Sequence, residues 1–543
     1  MNAVSHTELT PLSFLERSAR VFPTKTAVVY KSTSWTYRAF ADEVDRIADA
    51  LIASGVGRGD RVAYLMPNLP EMLVAHYAVP ATGAVLVAIN TRLSSDEIAY
   101  ILEHSGAVML VADGDYADTV AAAVEAVSTV REVVIAVDQI GHPSDDASQA
   151  HVRRLGFTDY HDLRRRASDA VSRAVDLRER DPITINYTSG TTGRPKGVVY
   201  SHRGAYLNSF GEIVHSSFTA NTVYLWTLPM FHCNGWCTTW AVTAIGGTHV
   251  CLREVRGDVI WREIRSRAVT HLNGAPTVVT TILNTAGAGP LDHALTITTA
   301  GAPPSPSTIG EVEQLGFNIV HVYGLTETYG PYSVCQLQPS WSTEEPETRA
   351  RLQARQGVGM IQADRMRVVG PDMRDVPADG VTMGEIVMRG NNVMLGYYND
   401  PDGTSKAFEG GWFHSGDLGV VHPDGYVELR DRAKDVVISG GENISTIEVE
   451  QALMSHPGVL ETAVIGVPDD QWGERPRAYV VLRAGAEVCE QDLVAHVKER
   501  IARYKAPREV ILIDALPKTS TGKIRKVALR EEAWAEKAVR IQG

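Results

Sequence analysis

Cysteine is scarce in this chain: Cys233, Cys237, Cys251, Cys335 and Cys489 are the only five in 543 residues. That excludes a disulfide scaffold and fits reduced thiols in a cytosolic protein. His232, Cys233 and Cys237 lie close in sequence, but no second Cys/His pair with ligand spacing accompanies them, which argues against zinc. Positive charge is also short, with 52 Lys and Arg against 65 Asp and Glu, a formal net of −13. Such a surface repels a phosphate backbone, so nucleic acid is not an expected partner. Long hydrophobic runs are missing too. One long uncharged stretch, Met72 to Asn90, contains His76, Pro80 and Gly83. It reads as a buried helix followed by a strand, not a membrane span. The opening MNAVSHTELTPLSF has no basic segment ahead of an apolar core, and RIQG is not a peroxisomal or retention address. The expected location is the cytoplasm.

What is present is an ordinary globular composition, 44% hydrophobic and 22% charged, in a chain too long for one core. Apolar, β-branched runs alternate with helical patterns. Phe40, Val44, Ile47, Leu51 and Ile52 share one helical face between Tyr37 and Ser54, and Arg61 to Met66 reads as a strand. Helix Glu71 to Val79 and strands Ala84 to Ile89, Val108 to Ala112 and Val133 to Val137 continue the rhythm. It predicts an α/β fold, with mostly parallel sheets covered by helices in a large N-terminal domain, residues 1–431. Residues 432–543 read as a small α+β domain. Residues 140 to 180 are polar and poorly patterned, and Arg164-Arg165-Arg166 reads as a solvated helix face.

The most informative stretch is Tyr187-Thr-Ser-Gly-Thr-Thr-Gly-Arg-Pro-Lys-Gly197, directly after the apolar run Ile183 to Ile185. Glycines let successive amides point into one concavity; Thr188, Ser189, Thr191 and Thr192 add donors around Gly190, and Lys196 adds a mobile charge. Such a nest suits a polyphosphate. It is not a Walker loop, because Gly197 and not Ser or Thr follows the lysine.

This loop resembles that of the adenylate-forming superfamily of acyl-CoA synthetases, peptide-synthetase adenylation domains and firefly-type luciferases. Further similar motifs follow in family order. They are Ala300-Gly-Ala-Pro303, Tyr323-Gly-Leu-Thr-Glu327, Gly384-Glu-Ile-Val-Met-Arg-Gly390 and Gly411-Trp-Phe-His-Ser-Gly-Asp417. Asp431-Arg-Ala-Lys-Asp435, Ser439-Gly-Gly-Glu-Asn443 and Pro517-Lys-Thr-Ser-Thr-Gly-Lys523 complete the set, which spans nearly the whole chain. The resemblance implies roles. Tyr323, with Gly324 behind it, stacks on adenine, and Gly301, Ala302 and Pro303 form the opposite wall. Thr326 stands near the α-phosphate, Glu327 with Thr188 carries Mg²⁺, and Asp417 with Arg432 takes the ribose. Lys434 is the hinge, and Ser439, Gly440 and Gly441 line the pantetheine tunnel.

Around Pro229-Met-Phe-His232 the sequence is similar to ligases of short or medium-chain fatty acids and aryl acids. Amino-acid-activating relatives have Asp where His232 stands, and no Asp or Glu occurs from Asn221 to Arg253. An unpaired ammonium there would be costly, so an α-amino acid is not the expected substrate. His232, Trp236, Ala300 and Gly301 are the candidate acid-binding residues, with Trp226, Phe231 and Trp240 either lining the pocket or filling core. The resemblance implies ATP, Mg²⁺ and coenzyme A as cofactors, and a two-step reaction through an acyl-adenylate. Lys523, Thr326, Glu327 and His232 stand at its centre. Three alternatives stand beside it: a ligase loading a carrier protein, a luciferase-like oxygenase, and a catalytically silent sensor. A homo-oligomer is compatible with the sequence.

Overall fold

The computed structural model describes residues 3–137, 145–168, 176–188, 194–301, 306–439, 442–469, 472–519 and 523–534. Two large sheets carry the N-terminal part. The first runs, edge to edge, through Gly396–Tyr397, Gly197–Ser201, Pro182–Tyr187, Val85–Ala88, Arg61–Leu65, Ala107–Asp113, Glu132–Ala136 and Thr158–Asp159. All its neighbours are parallel except at the Gly197–Ser201 edge, where both pairings are antiparallel. The second sheet has nine strands. Thr296–Thr299 and Asn318–Leu325 sit next to each other in its parallel stretch, and Gly330–Val334 turns back antiparallel on the latter. The expected α/β architecture is therefore present, and strands Arg61–Leu65 and Val85–Ala88 are buried almost throughout, as strands covered on both faces must be.

Helices fall where the apolar periodicity predicts them. Tyr37–Ala53 is capped by the Thr36 hydroxyl accepting from the Ala39 N–H, and buries Phe40, Val44, Ile47 and Leu51. Pro70–Ala81 is buried on nearly every side, which is why it carries no polar face.

Two findings differ from the sequence expectations. A third sheet is wholly antiparallel: Arg367–Val369, Gly384–Met388, Phe413–Val421 and Val427–Arg432. Gly384–Met388 and the start of Phe413–Val421 lie inside motif stretches whose glycines and charges hide the period of two. The arginine run 164–166 is also not merely solvated. Arg164 pairs with Glu43, and Arg166 makes a two-pronged contact with Glu132 at 2.7–2.8 Å. These partners are more than thirty residues away in sequence, so a local pattern could not reveal them.

The remaining sheet, Glu442–Ile444, Val437–Ser439, Gly473–Leu482 and Val459–Asp469 with Glu509–Leu512 alongside, packs against helices Thr446–Met454, Glu490–Arg500 and Lys526–Trp534. It has cores of its own, around Val464, Val480 and Leu493 on one face and Ile465, Tyr479 and Leu529 on the other. Asp431 joins it to the third sheet by accepting from the Thr446 N–H (2.5 Å) and hydroxyl (2.9 Å). Among the described residues no helix is long and apolar enough to cross a membrane.

One buried group opposes the fold. Glu212, on helix His202–His215, is 1% exposed, its Oε1 has no hydrogen-bond partner, and burial raises its carboxyl from 4.5 to about 8. Between those values unfolding releases a proton, so stability falls as pH rises. A Glu212→Gln variant lacks that slope. Its melting temperature should gain on the wild type progressively from about pH 4.5 to about pH 8 and hold level above. Parallel melting curves across that range would contradict a desolvated carboxyl.

Candidate active site

Strand Asn318–Leu325 ends in a short turn, Thr326–Thr328, before the chain reverses into Gly330–Val334. The Thr328 side chain builds that turn: its hydroxyl donates to the Gly330 carbonyl (2.7 Å) and accepts from the Leu325 N–H (2.9 Å). The result presents Tyr323, Thr326 and Glu327 at one strand end, the usual place for ligands in open α/β sheets. The third sheet meets them there. Asp417 and Arg432 are opposed in register, the Tyr323 hydroxyl donates to Asp417 Oδ2 at 2.7 Å, and Arg432 Nε lies 3.3 Å from Oδ1. Burial raises the Asp417 carboxyl, with Arg432 and the Tyr323 bond acting against that shift. The Ser415 hydroxyl braces the strand here: it accepts from the Asp417 N–H and donates to the Ile386 carbonyl.

Glu327 is held from another side. Tyr397 donates to its Oε1 at 2.9 Å, and the ring of the same tyrosine lies 4.5 Å beneath the Lys196 ammonium, which pairs with Asp400 at 3.4 Å. Burial raises the Glu327 carboxyl, opposed in part by Tyr397 and Arg432. Thr188 closes the neck of the phosphate loop, its N–H bonding the Lys196 carbonyl at 3.0 Å and its hydroxyl accepting from the Lys196 N–H at 3.4 Å.

Lys523 enters from the C-terminal part. Lys523 Cε lies 2.9 Å from where a Cβ on Gly301 would stand, and the φ of 98° at residue 301 favours glycine. Burial and the Arg432 charge lower the Lys523 ammonium, while Cys233, Asp417 and Glu327 counter them. Burial, reinforced by that ammonium, pushes His232 down to about 3 and leaves its imidazole neutral. Cys233 Sγ lies 3.7 Å from His232 Nε2 and 3.5 Å from Thr326 Oγ1.

Trp236 joins Ala300, Cys233, Val322, Val334 and Met360 in one apolar cluster, its ring against Gly330 where a Cβ would stand 2.6 Å from Cδ1. Trp226 and Trp240 are fully buried in the main core, their indoles bonded to His249 and to the His76 carbonyl, so these two fill core.

The fold thus gathers Tyr323, Thr326, Glu327, Asp417, Arg432, His232, Gly301 and Lys523. Lys434 lies at the junction, its carbonyl accepting from Arg530, and burial with the Arg432 charge lowers it to about 8. Ser439 sits on the C-terminal sheet opposite Gly473. Ser189, Gly190, Thr191, Thr192, Ala302, Pro303, Gly440 and Gly441 lie outside the described residues. Sequence reasoning missed Tyr397 and Asp400. Their signal was faint, a two-residue strand Gly396–Tyr397 pairing with Val198 and Val199 just past the phosphate loop.

The profile of the AMP-binding enzyme family matches residues 15–398, and that of its C-terminal domain matches residues 448–523. The chain belongs to the AMP-binding enzyme family. An acetate–CoA ligase of Humulus lupulus is 43% identical, covering 98% of this chain and 96% of its own. A 4-hydroxybutyrate–CoA ligase of Metallosphaera sedula is 42% identical over 97% of this chain and 95% of its own. Among solved structures, this AMP-binding enzyme superposes with a TM-score of 0.80 on the o-succinylbenzoate coenzyme A synthetase of Bacillus subtilis in complex with ATP and magnesium. That chain is 27% identical, and the match covers 97% of this chain and 100% of the other.

Asp417 is the acceptor at the centre of this geometry. In Asp417→Asn, AMP binding measured by calorimetry should weaken about tenfold or more, as expected for a lost charge-assisted bond. An unchanged affinity in a folded variant would remove Asp417 from the nucleotide site.

Proposed function

We propose that this AMP-binding enzyme is an AMP-forming acid–thiol ligase that activates a small carboxylic acid with ATP and transfers the acyl group to coenzyme A. The observation that carries the reading is the approach of Lys523 to Gly301, with its charge felt at His232, Cys233 and Asp417. An acid carboxylate and a triphosphate repel each other, and a lysine between them offsets that repulsion where the new bond forms.

In the first step a carboxylate oxygen attacks the α-phosphorus, and the bond to pyrophosphate breaks with its electron pair leaving on pyrophosphate. Tyr323 stacks on adenine, Asp417 accepts the ribose hydroxyls, and Thr326 stands beside the α-phosphate. The 188–196 loop and Lys196 hold the departing phosphates. Glu327 with Thr188 would hold Mg²⁺: a half-buried hard-oxygen carboxylate, linked through Tyr397 to the loop lysine, is the donor chemistry that ion takes with phosphate oxygens. When bound, the ion neutralises phosphate charge. In the second step the coenzyme A sulfur attacks the acyl carbon, AMP leaves with the bonding pair, and the thiol proton passes to phosphate or water. Catalysis here is placement and charge neutralisation. The C-terminal part, residues 432–543, pivots at Lys434 between the steps, withdrawing Lys523 and presenting the face at Ser439.

Coenzyme A is preferred over a carrier protein because the relatives are named as coenzyme A ligases. A small acid is preferred because Trp236 closes the pocket against Gly330. All five cysteines are free thiols, four of them buried, which supports a reducing compartment and the cytosol as the proposed location.

The test is a panel of acetate, butyrate, 4-hydroxybutyrate, hexanoate, benzoate and cinnamate, scored for AMP release with and without coenzyme A. Turnover that depends on coenzyme A is expected, and multiple turnover of AMP without it would contradict the acceptor. In Trp236→Ala the optimum of kcat/KM should move to longer acids, since each methylene accommodated is worth about 1 kcal/mol. An unmoved optimum would mean that Trp236 does not close the pocket.

A further inference from the structure

Five consecutive residues after His232 lie in the left-handed region: Cys233 (φ 48°), Asn234 (44°), Gly235 (57°), Trp236 (56°) and Cys237 (61°). For a residue with a side chain this conformation costs on the order of 1–2 kcal/mol, and it normally occurs singly. A run persists only where its surroundings over-determine it. This one is fully enclosed, every member being buried.

One side chain ties it down. Asn234 Oδ1 accepts from Thr184 Oγ1 and from Asn186 Nδ2, both at 2.6 Å, and Asn234 Nδ2 lies 3.0 Å from His76 Nε2. The proton positions have a single solution. His76 Nδ1 is 2.7 Å from the Met72 carbonyl, which can only accept, so Nδ1 carries the proton and Nε2 receives the Asn234 N–H. Burial pushes His76 down to about 4, which keeps the ring neutral and this arrangement fixed. The other Asn186 amide proton goes to Thr184 Oγ1 at 3.0 Å. Even the His76 carbonyl is accounted for. Residue 80 is proline and has no N–H to give four residues on, and the Trp240 indole donates there instead at 3.2 Å.

The anchors belong to rigid elements. Thr184 and Asn186 stand on strand Pro182–Tyr187, and His76 on helix Pro70–Ala81. The turn they hold begins immediately after His232 and carries Trp236 on its far side. We infer that Asn234 is a positioning residue for the acid: by fixing the left-handed turn it sets where His232 and Trp236 stand, and so the size of acid admitted. The inference rests on the acid-activating reading above and assigns Asn234 no contact with substrate.

The test compares Asn234→Gly, which keeps left-handed freedom but loses the amide, with Thr184→Val, which removes one donor at nearly constant volume. KM for acid, KM for ATP and the acid-length profile are measured by AMP release with coenzyme A present. In Asn234→Gly the KM for acid should rise about tenfold or more and the length profile broaden, with KM for ATP within about twofold of wild type. Thr184→Val should move the same quantities in the same direction by less. An active wild type whose Asn234→Gly variant keeps both acid KM and profile would overturn the positioning role, as would equal losses toward acid and ATP. A wild type that releases no AMP from any acid would instead sink the functional reading, and the inference with it.

Discussion

The structure is organised around bringing one positive charge, the Lys523 ammonium, into a cleft lined by carboxylates. Asp417 and Glu327 are both raised by burial, and the charges that oppose the shift are Arg432 for both and Lys523 for Asp417. Arg432 is fixed, being paired in register with Asp417 across two antiparallel strands. Lys523 comes from the C-terminal part, outside its strands and helices, and its side chain lies against Gly301 in the cleft. Its ammonium is lowered by burial and by Arg432, so its presence there is costly without anions to receive it. Two anionic substrates, a carboxylate and a triphosphate, are the natural compensation.

The second organising feature is rigidity beside that charge. Beside the cleft, residues 233–237 hold a backbone conformation that most residues avoid, tied by the Asn234 hydrogen bonds and packed against Trp226. Strain of this kind concentrates at functional sites because position there matters more than stability. Glu212, buried and unpartnered beneath the same region, is a further local conflict that the large cores around it absorb.

Much of this was legible in the sequence, for identifiable reasons. Helix Tyr37–Ala53 and strands Arg61–Leu65 and Val85–Ala88 follow apolar periodicity, which reports burial directly. Tyr323, Asp417, Arg432 and Lys523 lie in ordered motifs, and the fold brings them together from positions two hundred residues apart. What stayed hidden depends on pairing across long separations. Tyr397 acts through a strand of two residues, too short to have a period. The ion pairs of Arg164 and Arg166 join partners that no local window contains. The left-handed turn was unreadable because only Asn234 and Gly235 of its five residues hint at positive φ, and the network that holds it comes from residues 76, 184 and 186.

The central claim is that Lys523 serves the joining of acid to nucleotide and not the later transfer to the thiol. It is tested most directly by measuring the two half-reactions separately in Lys523→Ala: pyrophosphate release from acid and ATP, and thioester formation from a presynthesised acyl-adenylate and coenzyme A. The account predicts adenylate formation slowed about 10²-fold or more, near 3 kcal/mol of lost charge stabilisation, with thioester formation close to wild type. Adenylate formation at wild-type rate, or equal loss of both half-reactions in a folded variant, would contradict it.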